Sequence, residues 1–170
     1  MTLPLRPQRG GFLRPFGCGW FIREFLLGKG PNGSLRIDPD VGSPQAVIFH
    51  HYKLSLMKAM ALDRAIRLEE KRARKERRFI DPDKITELAN QFLARMPYKA
   101  HGCRYHSFVV YFSNLQRLGW VKFSGKEEAS AFQDNYPPGQ PRRYFRLTKG
   151  GREAGDAAWS NPRFALYGRS

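Results

Sequence analysis

Between Pro44 and Pro82 the chain runs for 37 residues without a glycine or a proline, although the 170-residue sequence carries 16 of the one and 12 of the other. A stretch free of both punctuators, with Tyr52, Leu56, Ala59, Leu62 and Ile66 recurring at helical spacing, has nowhere to reverse and is predicted to form one long helix. The remaining elements must be arranged around that rod. Its apolar stripe ends near Leu68. Glu69 to Arg78 is nearly all charged, with Glu70 four residues before Arg74 in the orientation that favours an ion pair, so this end of the helix is expected to be solvated. Phe79 and Ile80, alone between charged neighbours, suit a stub of edge strand joining two helices.

On the N-terminal side, Cys18 to Leu27 reads as a short apolar helix that Gly28-Lys29-Gly30-Pro31-Asn32-Gly33 brings to a stop, followed by a loop. Met1 to Phe16 carries Arg6, Arg9 and Arg14 among prolines and glycines, has no apolar core of a signal peptide, and reads as a flexible basic arm. On the C-terminal side, Asp81 is placed to cap a helix, Pro82 fits its first position, and Asp83 suits the positive end of its dipole. Ile85, Leu88, Ala89, Phe92, Leu93 and Met96 then follow a helical template, and Pro97 ends it. A short polar turn, Tyr98 to Gly102, leads to a second amphipathic helix with Tyr105, Phe108, Phe112 and Leu115 on its core face. Gly119 closes that helix, Trp120 to Phe123 alternates as a strand, and Ser124 to Pro141 is a polar loop. Arg142 to Leu147 returns as a strand, after which Thr148 can cap a short last helix through Glu153 toward Trp159.

These elements describe a mainly α chain with a small β-hairpin, of α+β class. Four segments result: a basic arm over 1–17; a short helix, loop and long basic helix over 18–80; a helix-turn-helix with hairpin over 81–159; and a tail over 160–170. Lys and Arg number 30 against 15 Asp and Glu, a net charge of +15, which calls for a polyanionic partner. No apolar run approaches the roughly 18 residues needed to span a bilayer, so a membrane partner is not expected. Two cysteines, Cys18 and Cys103, make no disulfide framework and suit a reducing cytoplasm. His101, Cys103 and His106, even with Cys18, match no closed zinc spacing, and His50-His51 has no partner pattern; no metal or cofactor is expected. The sequence lacks a Gly-rich phosphate loop, a nucleophile elbow and paired carboxylates in an apolar setting; Asp38 and Asp40 flank a proline in a turn. Enzymatic chemistry is therefore not expected.

Acidic residues are unevenly spread. Between Leu88 and Lys126 there is none, while Arg95, Lys99, Arg104, Arg117, Lys122 and Lys126 are basic; Asn135 to Arg152 repeats this with Arg142, Arg143, Arg146, Lys149 and Arg152. Clearing acids from one half of the chain is what phosphate neutralisation requires. On a helical wheel, His106, Ser107, Val110, Ser113, Asn114 and Arg117 lie opposite the aromatic face, where polar side chains could read base edges.

Helix, turn, helix, strand, basic loop, strand is the order of a winged helix-turn-helix. The run Asn114-Leu115-Gln116-Arg117-Leu118-Gly119-Trp120-Val121, followed by Pro141-Arg142-Arg143-Tyr144-Phe145-Arg146-Leu147-Thr148 and Gly151-Arg152, resembles the PadR and MarR-like winged-helix transcriptional regulators. The resemblance covers Asp81 to Arg152. It implies duplex DNA binding by a cytoplasmic, nucleoid-associated regulator, with Arg104 to Leu118 as recognition helix, Asp81 to Met96 as its support and Ser124 to Pro141 as the wing. The residues then expected on DNA are Arg104, His106, Ser107, Ser113, Asn114, Arg117, Lys122, Lys126, Arg142, Arg143, Tyr144 and Arg146. Among these, Asn114 would pair with adenine and Arg117 with guanine, while Arg142, Tyr144 and Arg146 would meet phosphates or the minor groove. The wing is longer than a usual hairpin tip, and the chain ends soon after Trp159, without the C-terminal helical dimerisation unit of many PadR-type proteins. A homodimer would therefore use the helix from Pro44 to Arg78. The other readings left open are an RNA-binding or structural component of a larger assembly, and a protein-binding winged-helix adaptor.

Overall fold

The computed structural model describes residues 6–7, 13–14, 17–29, 37–97, 104–128, 141–160 and 162. Most of the expected basic arm, the Tyr98 to Gly102 turn, residues 129–140 of the expected wing and most of the tail lie outside the described residues. The chain is mainly helical with a small three-stranded antiparallel sheet, an α+β architecture. It divides into two compact units that interleave in sequence. The first comprises residues 1–15 and 52–103, and the second 16–51 and 104–170.

The second unit opens with α1 (Gly17–Leu26), which buries Cys18, Phe21, Ile22, Phe25 and Leu26 on one side. Its Arg23 is largely buried and meets Glu24 at 3.0 Å and Asp156 of a later helix at 2.6 Å. The segment read as loop after Gly33 ends in a strand, β3 (Ser43–Pro44), antiparallel to β5 (Arg142–Leu147) with Ser43 opposite Phe145 and Pro44 opposite Tyr144. Gly42 makes that approach: its φ is +77°, and a Cβ there would collide with the Phe145 carbonyl. Strand β4 pairs with the other edge of β5, giving the order β3-β5-β4.

β4 spans Val121–Glu128, twice the length expected. Ser124 and Gly125 carry no strand signal, and the ladder slips there, with Gly125 at φ +96° between the rungs Phe123–Phe145 and Glu127–Arg143. Beyond the irregularity, Glu127 faces Arg143 and Glu128 faces Arg142, opposite charges that favour continued pairing.

Helix α4 (Tyr105–Arg117) has Phe108, Phe112 and Leu115 buried, and Phe112 meets the Phe145 ring edge-on at 5.2 Å. Tyr105, expected in the core, is 46% exposed, because it is the first helical residue and only its ring face is covered, by Phe49 at 5.2 Å. The helix closes as expected. Gly119 takes φ +75°, its N–H bonds the Gln116 carbonyl, and Trp120 N–H bonds that of Leu115, the paired C-terminal bonds that a left-handed residue permits. The last helical stretch is split into α5 (Lys149–Glu153) and α6 (Asp156–Ser160), with Thr148 capping the first through Gly151 N–H. Trp159 is fully buried, donates its indole N–H to the Gly151 carbonyl at 2.9 Å and lies 4.8 Å from the Trp120 ring.

The long helix, α2 (Gln45–Glu76), is one element as predicted; its first seven residues belong to the second unit and the rest to the first. Within the first unit α3 (Pro82–Arg95) runs back along α2: Asp81 bonds Glu69, and the Arg64 guanidinium lies over the Phe92 ring at 4.4 Å. Asp81 is the N-cap, accepting from Asp83 N–H at 3.0 Å, and Pro82 begins the helix. Of the expected apolar face of α3 only Leu88 is buried; Ile85, Ala89, Phe92, Leu93 and Met96 are half-buried. Two short strands, β1 (Arg6–Pro7) and β2 (Leu13–Arg14), pair antiparallel inside the segment read as a flexible arm.

Three expectations for the end of α2 and the joint after it fail. Buried positions repeat every fourth residue at Ala61, Ala65, Glu69 and Ala73, so the charged tail is not simply solvated. Glu69 is 1% exposed because Arg78 grips both of its oxygens, at 2.8 and 2.9 Å, and Asp81 N–H adds a third bond at 2.8 Å. These bonds hold its carboxyl well below the ordinary range, at about 2, with the Arg78 guanidinium the largest cause. Glu70 and Arg74 do not pair; Asp63 and Arg67 do, at 3.1 Å. Phe79 and Ile80 form no strand. No strand pairs with them among the described residues; the Phe79 carbonyl accepts from the Arg78 guanidinium at 3.1 Å, and the Phe79 side chain is 96% exposed in the short joint between α2 and α3.

Candidate nucleic-acid interface

Helix α4 carries its polar residues on the side away from the sheet because Phe108, Phe112 and Leu115 commit the other side to the core. His106, Ser107, Ser113 and Arg117 are exposed, Val110 is 51% exposed, and Asn114 is half-buried. Arg104 precedes the helix in extended conformation and its side chain makes no capping bond. Gln116, outside the expected set, is exposed beside them. The helix contains no acidic residue. Among the described residues no carboxylate pairs with Arg104 or Arg117.

Within the sheet-bearing unit the first turns of α2 back α4. Phe49, in the first turns of α2, lies 5.2 Å from Tyr105 and 5.1 Å from Phe108, within one unit, whereas α3 belongs to the other unit. Phe49 continues the Tyr52, Leu56, Ala59 stripe one step toward the start of the helix, so its inward face was available from the period alone.

The β4–β5 hairpin separates the remaining candidates onto two faces. Val121 opposite Leu147 and Phe123 opposite Phe145 point to the α4 side, as the burial of the first pair and the Phe112–Phe145 contact require. Alternation puts Lys122 and Arg146, which face each other, on the outer side, together with Tyr144. Lys126 joins them, its ammonium 4.4 Å from the Tyr144 ring centroid. Arg143 instead stacks toward Phe123 on the α4 side, 5.5 Å from its ring centroid.

Charge divides these residues a second way. Arg142 is 3.3 Å from Glu128 and Arg143 is 3.3 Å from Glu127, so both cations are neutralised within the hairpin by acids inside the segment read as wing loop. Tyr144 donates its hydroxyl to Glu128 at 2.7 Å, which raises the phenol above its ordinary range, since ionising would break that bond beside a carboxylate. Lys122 and Arg146 have no such partner among the described residues. Lys149 and Arg152, not among the expected site residues, reach the same outer face because the Thr148 cap turns the chain directly after β5. The signal was available in their basic side chains just beyond the strand.

Tyr111, on the same helix, belongs to the core instead: its phenol is pushed far up by burial beside α1, where Gly19 bonds it. Among the described residues no three His, Cys, Asp or Glu side chains gather as a metal site; His101 and Cys103 lie outside those residues. Among them, too, no helix is long and apolar enough to cross a membrane. Comparison with family models, with curated proteins and with solved structures returns no match to the chain.

Proposed function

We propose that the chain binds duplex DNA through α4, as a winged helix-turn-helix protein of transcriptional-regulator type whose hairpin lies beside the helix. The observation that carries the reading is the exposed face of α4. Arg104, His106, Ser107, Ser113, Asn114 and Arg117 form an acid-free surface on a rigid element whose opposite side is locked into an aromatic core. In this reading α4 enters the major groove, Asn114 and Arg117 meet base edges, and Arg104 meets phosphate. The start of α2 takes the supporting role that the sequence suggested for Asp81 to Met96, and the α2–α3 hairpin is an insertion between the supporting and recognition helices. The β3-β5-β4 order supports it further, because β3 covers an edge of β5 that a lone hairpin would leave open.

The test is fluorescence anisotropy with a random-sequence duplex over a salt series. Arg104→Ala and Arg117→Ala should each weaken binding, and Arg104→Ala, which removes the phosphate contact, should also reduce the slope of log K against log salt by about 1. Unchanged affinity in both variants, or a clear preference of the parent protein for structured RNA, would overturn the reading.

A further inference from the structure

On the outer face of the sheet the ladder sets Lys122 directly opposite Arg146. Like charges on facing positions of an antiparallel pair are destabilising. The same hairpin places glutamates against arginines at its far rungs, so the unmatched pair is a local exception. Around it, the turn after β5 brings Lys149 and Arg152, and these four cations line a cleft of about 400 Å³ with Asp40, Leu147 and Thr148. Two carboxylates reach the group only loosely: Asp40 lies 3.7 Å from Arg152, and Glu153, outside the cleft lining, lies 3.9 Å from Lys149. Four cations thus share one lining carboxylate.

We propose that this cleft binds a phosphate group, as a site separate from the exposed face of α4. The Arg146 guanidinium can grip two phosphate oxygens at once, while the Lys122 and Lys149 ammonium groups supply compact positive charge from either side. A phosphate between Lys122 and Arg146 turns a repulsive rung into an attractive one. The volume falls within the range of small-ligand sites and admits a diphosphate. No aromatic side chain lines the cleft, so a nucleobase has nothing to stack on, and recognition is of the phosphate itself. That phosphate is carried either by a small ester or by a nucleic-acid strand. The inference stands on the cleft and does not require duplex binding by α4.

The full chain is titrated with inorganic pyrophosphate, against sodium chloride matched in ionic strength, and thermal unfolding is followed. At saturating pyrophosphate the midpoint should rise by about 2–4 °C beyond the chloride control. Lys122→Ala with Arg146→Ala should abolish the shift, whereas Arg104→Ala with Arg117→Ala should keep it, which separates a failure here from a failure of the DNA reading. Lys122→Glu guards against a folding defect. It creates an opposite-charge rung, so it should melt higher than the parent protein at low salt and yet not respond to pyrophosphate. A shift no larger than that of chloride, or one undiminished in the Lys122 variants, overturns the proposal. Displacement of bound duplex by pyrophosphate assigns the phosphate to a strand; simultaneous binding of both assigns it to a small ester, and either supports the site.

Discussion

In the unit that carries the sheet, the fully buried side chains include Trp159, Phe25, Phe112, Ile22 and Leu147, whereas in the other unit, past Tyr52, Leu56 and Met57 at the start of its share of α2, the buried positions repeat every fourth residue at Ala61, Ala65, Glu69 and Ala73. The first set is large and apolar, and its contribution comes from area removed from water, spread over many contacts. In the second, three of the four side chains are methyl groups, and the fourth is a carboxylate whose bonds to Arg78 and Asp81 join α2 to α3. One unit is therefore held by bulk, and its weak points are its largest residues. The joint of the other depends on direction, and its weak point is a single charged group on which the Arg78 guanidinium, also held by the exposed Glu76, and the Asp81 N–H converge.

The sharpest way to break that contrast is Trp159→Ala, which removes a fully buried ring and the indole bond to Gly151 and should destabilise the sheet-bearing unit by about 3–5 kcal/mol. All three tryptophans, Trp20, Trp120 and Trp159, lie in this unit, so urea unfolding followed by the fluorescence of the remaining two reports on it. A loss below about 1 kcal/mol would mean that the aromatic core is not what holds the sheet.

A smaller effect, confined to the α2–α3 hairpin, is expected from Glu69→Gln, which leaves Arg78 with only the exposed Glu76 as a charged partner. Backbone amides at the start of α3 should exchange faster in the variant, by hydrogen exchange. The acid response gives a second reading of the same group. The carboxyl sits at about 2 in the folded chain against an ordinary 4.5, so its contribution to stability is complete above pH 4.5 and is lost as pH falls toward 2. Helicity should therefore fall across that window in the parent protein, and the part of the fall due to this site should be missing from the variant.

The smallest change should be a gain. Arg77 ends α2 at φ +52°, a left-handed position usually given to glycine, while Arg78 N–H bonds back to the Ala73 carbonyl. Arg77→Gly should raise the melting free energy by about 0.5 kcal/mol, the relief of a side-chain clash less the entropy of a freer unfolded chain. A loss instead would show that the Arg77 side chain contributes more than its backbone costs.

Helices were the most legible part of the sequence, where long apolar periods and breakers agree: α1, α2, α3 and α4 fall within a residue or two of their expected limits, and Gly119 and Asp81 cap as read. The returning strand, Arg142 to Leu147, was also legible from its alternation. What was hidden depends on distant partners. β3 is two residues, one of them a proline, and is a strand only because β5 lies beside it. The second half of β4 carries a glycine and two glutamates, which become strand residues through the arginines opposite. Glu69 looked like any charge in a solvated run, since nothing local announces that Arg78, nine residues on, will fold back over it. For the candidate interface, the exposed face of α4 could be read from its period, but the division of the hairpin cations into neutralised and unpartnered ones could not, because it follows from strand register.

The interleaving of the two units also sets a schedule for folding. The α2–α3 contacts join residues close in sequence, while β3 must wait for a strand roughly a hundred residues downstream, and such long loop closures are slow. On a chain emerging from the ribosome the hairpin is expected to form first, and the sheet only after Phe145 has been made. Helix α1, which buries Phe21 and Phe25 and meets β5, is then without that strand for most of synthesis, and it is expected to be a segment that a chaperone covers.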